Sequence, residues 1–455
     1  MVIKDRLPEL AKTHPRCVVL GAGRSGRAAV RLLRSIGASI TLVDSGDVAD
    51  APDSCEAFAN AEHIPDGNFD ICVTSPSIPQ GHAFLKDCAT RSIPVIAEME
   101  LGYAFWRGRI LAVTGSKGKS SIVKLCADTL YATGAKAIPC GNYGTPLCDV
   151  VLDSPDAAWA VAETSSFQLE HVVDFRPDAA LLLNIQADHL DRHGTMAEYA
   201  RMKMRIFGRQ GADCAAFVPY GIDTHGNHLP DNVPLHTFGT DSRAAWRWTS
   251  GRIDGAMDGR ARSIDMSGSW FDNDVLGPGA AAAAGAMAFA GLHDEDIAQG
   301  LRSFKPLPHR MQRVAEVRGV VFIDDSKATS LAATAAALRM APEPVRLIAG
   351  GRLKETDTDF LKPFLSKRTR KVYLIGECED RLLASWRDAA HCVVCHTIDA
   401  AVRAAASEAV TGDCVMLSPG CASFDQFKGY GQRGDVFAGL AKSIADNETD
   451  DLEET

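Results

Sequence analysis

Twice before residue 135 the chain runs a short apolar strand into a glycine-rich turn and then into a helix-patterned segment. The first instance is CVVL at 17–20, GAGRSG at 21–26, and the apolar set Ala28, Ala29, Leu32, Leu33 and Ile36 at helical spacing. The second is ILAVT at 110–114, GSKGKSS at 115–121, and a helical pattern over 120–132. A strand that must cross over through a helix to a parallel neighbour needs such a turn, so the pattern predicts α/β architecture with doubly wound, parallel sheets. Further strands fit 39–44, 70–75 and 95–97, then 159–162 and 180–185, then 320–323, 345–349, 372–375, 393–394 and 415–417. Residues 219–274 are rich in Gly, Asp and Asn and yield no ordered set of elements. KPLP at 305–308 reads as a linker, because paired prolines remove donors and disfavour helix. At 455 residues the chain has room for about three domains.

Composition removes some classes of function. Lys and Arg number 48 against 58 Asp and Glu, a net charge of −10, whereas a protein that wraps nucleic acid should be basic. The uncharged stretch 275–292 holds Gly-Pro-Gly and five consecutive alanines, which predicts a buried helix and no membrane span. The first sixteen residues lack an apolar signal core, so the 13 cysteines are expected to be reduced thiols in the cytoplasm. The acidic tail NETDDLEET at 447–455 is expected to fray.

The two turns differ in what they offer a ligand. GAGRSG is GxGxxG, whose backbone N–H groups can approach a pyrophosphate at a helix N-terminus. Gly21, Gly23, Arg24 and Ser25 are the candidate contacts, with Asp44 and Ser45 where a ribose-binding acid is expected. A nicotinamide dinucleotide, a UDP-type ligand and a ligand-free tight turn all fit. GSKGKSS has the GK[ST] end of a phosphate loop without the full GxxxxGK[ST] spacing. Gly115, Ser116, Lys117, Gly118, Lys119, Ser120 and Ser121 would wrap phosphates, with Lys119 on the terminal ones and the Ser120 hydroxyl suited to Mg²⁺. This favours ATP over a solvated basic helix start. A dehydrogenase needs the first turn alone and a simple ATPase the second; an ATP-driven enzyme acting on a nucleotide-linked substrate uses both.

TGSKGKSS at 114–121, ETSSFQLE at 163–170, DHLDRH at 188–193, LPHR at 307–310, DDSKATS at 324–330 and LSPGCASFDQFKGYGQRG at 417–434 together resemble the Mur ligase family over essentially the whole chain. The resemblance implies a Rossmann-like N-terminal domain (1–107) for a UDP-linked substrate and a central P-loop ATPase-type domain (108–306) for ATP and metal. It implies a Rossmann-like C-terminal domain (307–455) for an amino acid. The implied reaction is ATP-dependent, ADP-forming ligation of glutamate to UDP-N-acetylmuramoyl-L-alanine through an acyl phosphate, in peptidoglycan precursor synthesis. The implied enzyme is a cytoplasmic monomer that binds neither nucleic acid nor membrane. Bringing a carboxylate to a triphosphate places like charges together, at roughly 4 kcal/mol for two unit charges about 4 Å apart at an effective dielectric of 20. Cations must offset that repulsion.

By resemblance, the catalytic set is Lys119, His189 and Lys203, and Mg²⁺ would be held by Ser120, Glu163, His189 and a carbamylated Lys203. Asn142, Ser165 and Gln168 would meet the UDP-linked substrate. Arg310 and Asp325 would contact the phosphate or ribose of the nucleotide. Lys327, Thr329, Lys354, Ser423 and Tyr430 would hold glutamate, whose two carboxylates suit ammonium and hydroxyl groups. Read by residue type alone, Lys203, flanked by Arg201 and Arg205, is an ordinary surface lysine. Glu163 is a strand-end carboxylate suited to Mg²⁺. His193 follows His189 by four residues but lacks the intervening Glu of HExxH, and reads as structural.

Three segments depart from the family pattern. GPGAAAAAG replaces the HNxxN that contacts adenine near residue 280, Lys117 adds charge to the loop, and GGRLKETD at 350–357 differs from the commoner GGxxKG. They bear on adenine recognition and on which amino acid, or which hand of glutamate, is used. The rival readings are a NAD-dependent oxidoreductase, a relative adding another amino acid, and a UDP-precursor binder with weakened catalysis. CVVCH at 392–396 matches the haem-attachment pattern but falls in a strand-like run. His225, His228 and His236 lie in a polar loop that does not complete a tetrahedral zinc set.

Overall fold

Short runs of Val, Ile, Leu and Ala form strands buried on both faces, the pattern of parallel sheets covered by helices. The computed structural model describes residues 11–46 and 55–453, with Leu7, Glu9 and Val48. Half of the sixteen leading residues read for a signal core lie outside them. The chain divides into two units, Met1–Phe304 and Lys305–Thr455.

The first unit holds two sheets. One is five-stranded, with β1 (Arg16–Leu20), β2 (Ser39–Val43), β3 (Glu56–Phe58), β4 (Ile71–Thr74) and β5 (Val95–Ala97) in the order β3-β2-β1-β4-β5. All its pairings are parallel. Helix Arg24–Ser35 covers it with Ala28, Ala29, Val30, Leu32 and Leu33.

The other sheet is nine-stranded: β6 (Arg109–Thr114), β7 (Ala137–Gly141), β8 (Trp159–Glu163), β9 (Ala179–Leu182), β10 (Ala215–Pro219), β11 (Leu235–Gly239), β12 (Trp246–Thr249), β13 (Arg252–Met257) and β14 (Arg260–Asp265). Its order is β14-β13-β12-β11-β10-β9-β6-β8-β7. It is parallel from β7 to β12, and β13 and β14 add an antiparallel hairpin. The stretch that sequence left unordered therefore makes the far edge of this sheet, where half-exposed strands carry little apolar signal. The expected alanine-rich helix is Gly277–Phe289, and its small side chains pack against Phe217 and Trp246.

Three buried contacts tie these two sheets together. Glu100 on helix Glu98–Phe105 accepts the N–H groups of Val173, Asp174 and Phe175 at 2.8–3.0 Å. Glu98 accepts that of Cys148 at 2.8 Å, and burial pushes its carboxyl up to about 7. Arg192 donates to the carbonyls of Pro76 and Ile78 at 2.7 and 2.9 Å and pairs with buried Glu170 at 2.6 Å.

The second unit has one six-stranded sheet. Its strands β15 (Gln312–Val317), β16 (Val320–Asp324), β17 (Val345–Gly350), β18 (Thr369–Ile375), β19 (Cys392–His396) and β20 (Cys414–Leu417) run in the order β15-β16-β20-β17-β18-β19. β15 alone is antiparallel to its neighbour. CVVCH is the half-exposed edge strand β19. The tail expected to fray is instead the end of a long helix, Tyr430–Glu453; residues 454–455 lie outside the described residues. No helix among the described residues is long and apolar enough to cross a membrane.

Candidate active site

The loop 115–118 leaves the carboxyl end of β6 and enters helix Lys119–Ala132, the edge where open α/β sheets bind ligands. Gly118 caps that helix at φ 87°, a left-handed conformation that costs glycine little and leaves no side chain over the helix N-terminus. Asn184, just past β9, holds the main chain of Lys117 from both sides. Its Oδ1 accepts the Lys117 N–H at 2.9 Å and its Nδ2 donates to the Lys117 carbonyl at 3.1 Å. The Ser116 hydroxyl exchanges hydrogen bonds with the main chain of Gln186 at 2.9 and 3.0 Å and meets the Tyr199 hydroxyl at 3.1 Å. The loop is thus preorganised by groups that sequence reading did not select. Asn184 could have been found as a polar residue ending an apolar strand.

Three lysines gather on this loop. Lys119 Nζ donates to the carbonyls of Gly115 and Ser116 at 2.7 and 3.2 Å. Lys203 Nζ donates to the Gly115 carbonyl at 2.9 Å from helix Met196–Met204. Its residue is only 1% exposed, which corrects the surface reading that residue type suggested. Burial, reinforced by Lys119 and Lys117 and opposed by Asp188, lowers its pKa to about 6, so the amine is neutral at pH 7. Lys117 pairs with Asp188 at 3.0 Å. Burial raises the Asp188 pKa, but Lys117, His189 and Lys119 outweigh it and leave the carboxyl below its ordinary value. Ser120 is half-buried in the first helical turn, and Ser121 is buried.

Glu163 ends β8, beside β6, and is buried. Its Oε1 accepts Asn142 Nδ2 at 2.6 Å, so Asn142 sets the carboxylate's orientation. Its Oε2 is buried without a hydrogen-bond partner among the described residues. A lone buried carboxylate oxygen is costly unless a cation meets it, and a hard oxygen suits Mg²⁺. His189 has φ 54° and lies edge-on to Phe167, with Nε2 3.8 Å from Asp188. Burial lowers its pKa, favouring the neutral imidazole that can ligate a metal. Among the described residues no three His, Cys, Asp or Glu side chains form a ready metal cage. The unpartnered Glu163 Oε2 is the hard oxygen donor here that fits Mg²⁺.

Other candidates are engaged elsewhere. Ser165 and Gln168 form a capping box with each other: the Gln168 N–H donates to Ser165 Oγ, and the Ser165 N–H to Gln168 Oε1. His193, read as structural, is buried with Nε2 2.9 Å from Ser166 Oγ. Beside it, a cavity of about 510 Å³ is lined by Ser77, Gln80, Gly81, Glu170, Asp191 and Arg192.

The first glycine turn is closed on itself. Asp44, expected to face a ribose, accepts the Ala22 N–H on Oδ2 at 2.6 Å and the Gly46 N–H on Oδ1 at 2.7 Å. Gly21 donates to the Val43 carbonyl at 2.8 Å, and a Cβ built on Gly26 would lie 1.8 Å from the Gly21 oxygen. The Arg24 guanidinium donates to the Gly144 carbonyl, joining this turn to the larger sheet, while Ser45 is exposed.

In the second unit, Lys327 Nζ lies 3.7 Å from the Tyr430 ring centroid. Asp325 is buried, accepts the Ser418 hydroxyl at 2.8 Å and the Met311 N–H at 3.2 Å, and is pushed by burial up to about 7. His309 Nδ1 lies 2.7 Å from Asp324, and Arg310 beside it is half-buried. Arg433, which sequence reading passed over, is buried and donates to the Ser326 hydroxyl and to the carbonyls of Ser326 and Cys421. It braces the loop carrying buried Ser423. Thr329 is half-buried and Lys354 is exposed.

The chain is similar to known proteins in sequence and in fold. The family model for the Mur ligase middle domain matches residues 113–288, and that for the Mur ligase glutamate ligase domain matches 309–421. A UDP-N-acetylmuramoylalanine–D-glutamate ligase of Nitratidesulfovibrio vulgaris is 37% identical over 441 residues, 94% of this chain and 96% of that one. Its counterpart in Acidobacterium capsulatum is 34% identical, over 93% of this chain and 95% of that one. Among solved structures, the MurF ligase of Thermotoga maritima in complex with ADP has a TM-score of 0.60 at 16% identity, covering 96% of this chain and 97% of that one. The MurC ligase of the same organism has a TM-score of 0.58 at 13% identity, covering 95% and 100%. These likenesses extend the three-sheet α/β fold over nearly the full length.

Proposed function

The chain belongs to the Mur ligase family, and on that premise we propose that it joins glutamate to UDP-N-acetylmuramoyl-L-alanine with ATP, releasing ADP and phosphate. The names of its relatives specify D-glutamate, and that hand is the one proposed here. The observation that carries the reading is the preorganised loop 115–118, with three lysines gathered on it and helix Lys119–Ala132 behind it.

In this reading residues 1–107 hold the UDP end of the acceptor, 108–306 hold ATP, and 307–455 hold glutamate. The backbone N–H groups of 115–121 and the Lys119 ammonium bind the phosphates and offset their repulsion with the acceptor carboxylate. Ser120, Glu163, His189 and Lys203 would hold Mg²⁺, which supplies charge neutralisation at the transferring phosphoryl group. The buried, neutral Lys203 amine is the form that adds CO₂, so its carbamylation is part of the proposal. Asn142 keeps Glu163 aimed. Phosphoryl transfer turns the acceptor carboxylate into an acyl phosphate, the glutamate amine attacks its carbonyl carbon, and phosphate leaves. Arg310 and Asp325 would meet the nucleotide. Lys327, Thr329, Lys354, Ser423 and Tyr430 would hold the glutamate carboxylates, and Asn142, Ser165 and Gln168 the acceptor. The protein would work as a cytoplasmic monomer, where ATP and UDP-linked precursors occur together.

The test is ADP release with UDP-N-acetylmuramoyl-L-alanine and each amino acid in both hands. Release that depends on D-glutamate supports the reading. Release independent of any amino acid removes the ligase assignment, and dependence on another amino acid, or on L-glutamate, reassigns the second unit's specificity.

A further inference from the structure

Resting on the phosphate-loop reading above, we propose that Lys117 is an additional phosphate-binding cation held in reserve on Asp188, and that an incoming triphosphate takes it from that carboxylate. Lys203 donates to a main-chain carbonyl of the loop, whereas Lys117 is held by an anion, with Nζ 3.0 Å from Asp188 Oδ2. An anion can be exchanged for another anion. The two side chains are 40% and 28% exposed, so neither end is sealed, and an ion pair in contact with solvent is cheap to give up. Asn184 fixes the Lys117 main chain at both its N–H and its carbonyl, so the loop keeps its path when the side chain swings. The flexible four-carbon stem then lets the ammonium move alone. Its position between Ser116 and Gly118 places it on the segment that would wrap the phosphates. Asp188 thus does for the loop ammonium of Lys117 what a terminal phosphate would do on binding: it supplies the opposite charge.

The experiment is calorimetric titration of the full-length protein with adenylyl imidodiphosphate and with ADP, free of divalent cations, which keeps metal binding out of the readout. Lys117→Gln preserves the stem and removes the charge. It is expected to weaken the triphosphate about tenfold and ADP less than threefold. Asp188→Asn removes the competing anion and is expected to tighten the triphosphate about threefold. Equal loss of both nucleotides in K117Q, or no loss of either, overturns the inference, as does weakened triphosphate binding in D188N. If K117Q does not fold, D188N alone decides. Lys119→Ala separates the two levels. Wild-type binding in K117Q beside weakened binding in K119A sinks only the reserve-cation idea. Wild-type triphosphate binding in K119A sinks the phosphate-loop reading itself.

Discussion

The two glycine turns occupy equivalent places, each at the carboxyl end of a parallel strand entering a crossover helix, yet they are held by different groups. In the first, the Asp44 carboxylate accepts the Ala22 N–H and the Arg27 guanidinium donates to the Ala22 carbonyl, so both signs of charge meet at the turn. In the second, the groups that hold the loop are the neutral Asn184, Gln186 and Tyr199, and the charges on it are ammonium groups. Glycine spacing therefore identifies a tight handover from strand to helix. The groups that hold each turn come in part from far along the chain, 22 positions away for Asp44 and about 70–90 for Asn184 and Lys203.

The strongest way to break this comparison is Lys119→Ala. Turnover measured as ADP release should fall about 10³-fold, while binding of the UDP-linked acceptor stays within about twofold. Comparable turnover in the variant would remove the phosphate-binding role of the second turn. Next comes Gly26→Ala, whose methyl would sit 1.8 Å from the Gly21 oxygen and should cost more than about 3 kcal/mol in urea unfolding. Gly23→Ala, with nothing within 4 Å, should stay within about 0.5 kcal/mol. Equal costs would show that the turn is looser than described.

A third test uses pH. Lys203 is neutral in the folded chain above about pH 6 but protonated in the unfolded chain up to about 10.4. Across that window the unfolded state binds the extra proton, so this group makes stability rise with pH, by up to about 1.4 kcal/mol per unit. Urea unfolding of Lys203→Met between pH 6 and 9, in CO₂-free buffer, should have a flatter slope than the parent; an identical slope removes the neutral-amine claim. A further test is at the first turn, where Asp44→Ala should cost about 1–2 kcal/mol and Asp44→Asn less, since Asn keeps one acceptor.

Much of the fold was legible because buried parallel strands are short, apolar and bounded by turns. β1, β5, β6 and β17 fall where the sequence places them, within a residue or so. β3, β11 and β13 were not legible, because at an edge, as in β3, or on half-exposed strands, as in β11 and β13, the apolar pattern thins. The tail helix was missed because nine mostly polar and acidic residues look like a frayed end when the preceding helix is not extended through them. At the site, residue type gave the glycines, Lys119 and Glu163. It could not give the burial of Lys203, which depends on helix Met196–Met204 packing under the loop. Nor could it show that Ser165 and Gln168 satisfy each other.

The buried carboxylates on helix Glu98–Phe105 have a practical corollary. Glu100 is hydrogen-bonded by main-chain donors at 173–175, and Glu98 by one at 148. A chimera that imports a foreign first sheet without those recipient segments would strand two acids in an apolar seam. Exchange of lobes among homologues should therefore succeed only when the graft junctions are drawn around the seam rather than at the connecting peptide.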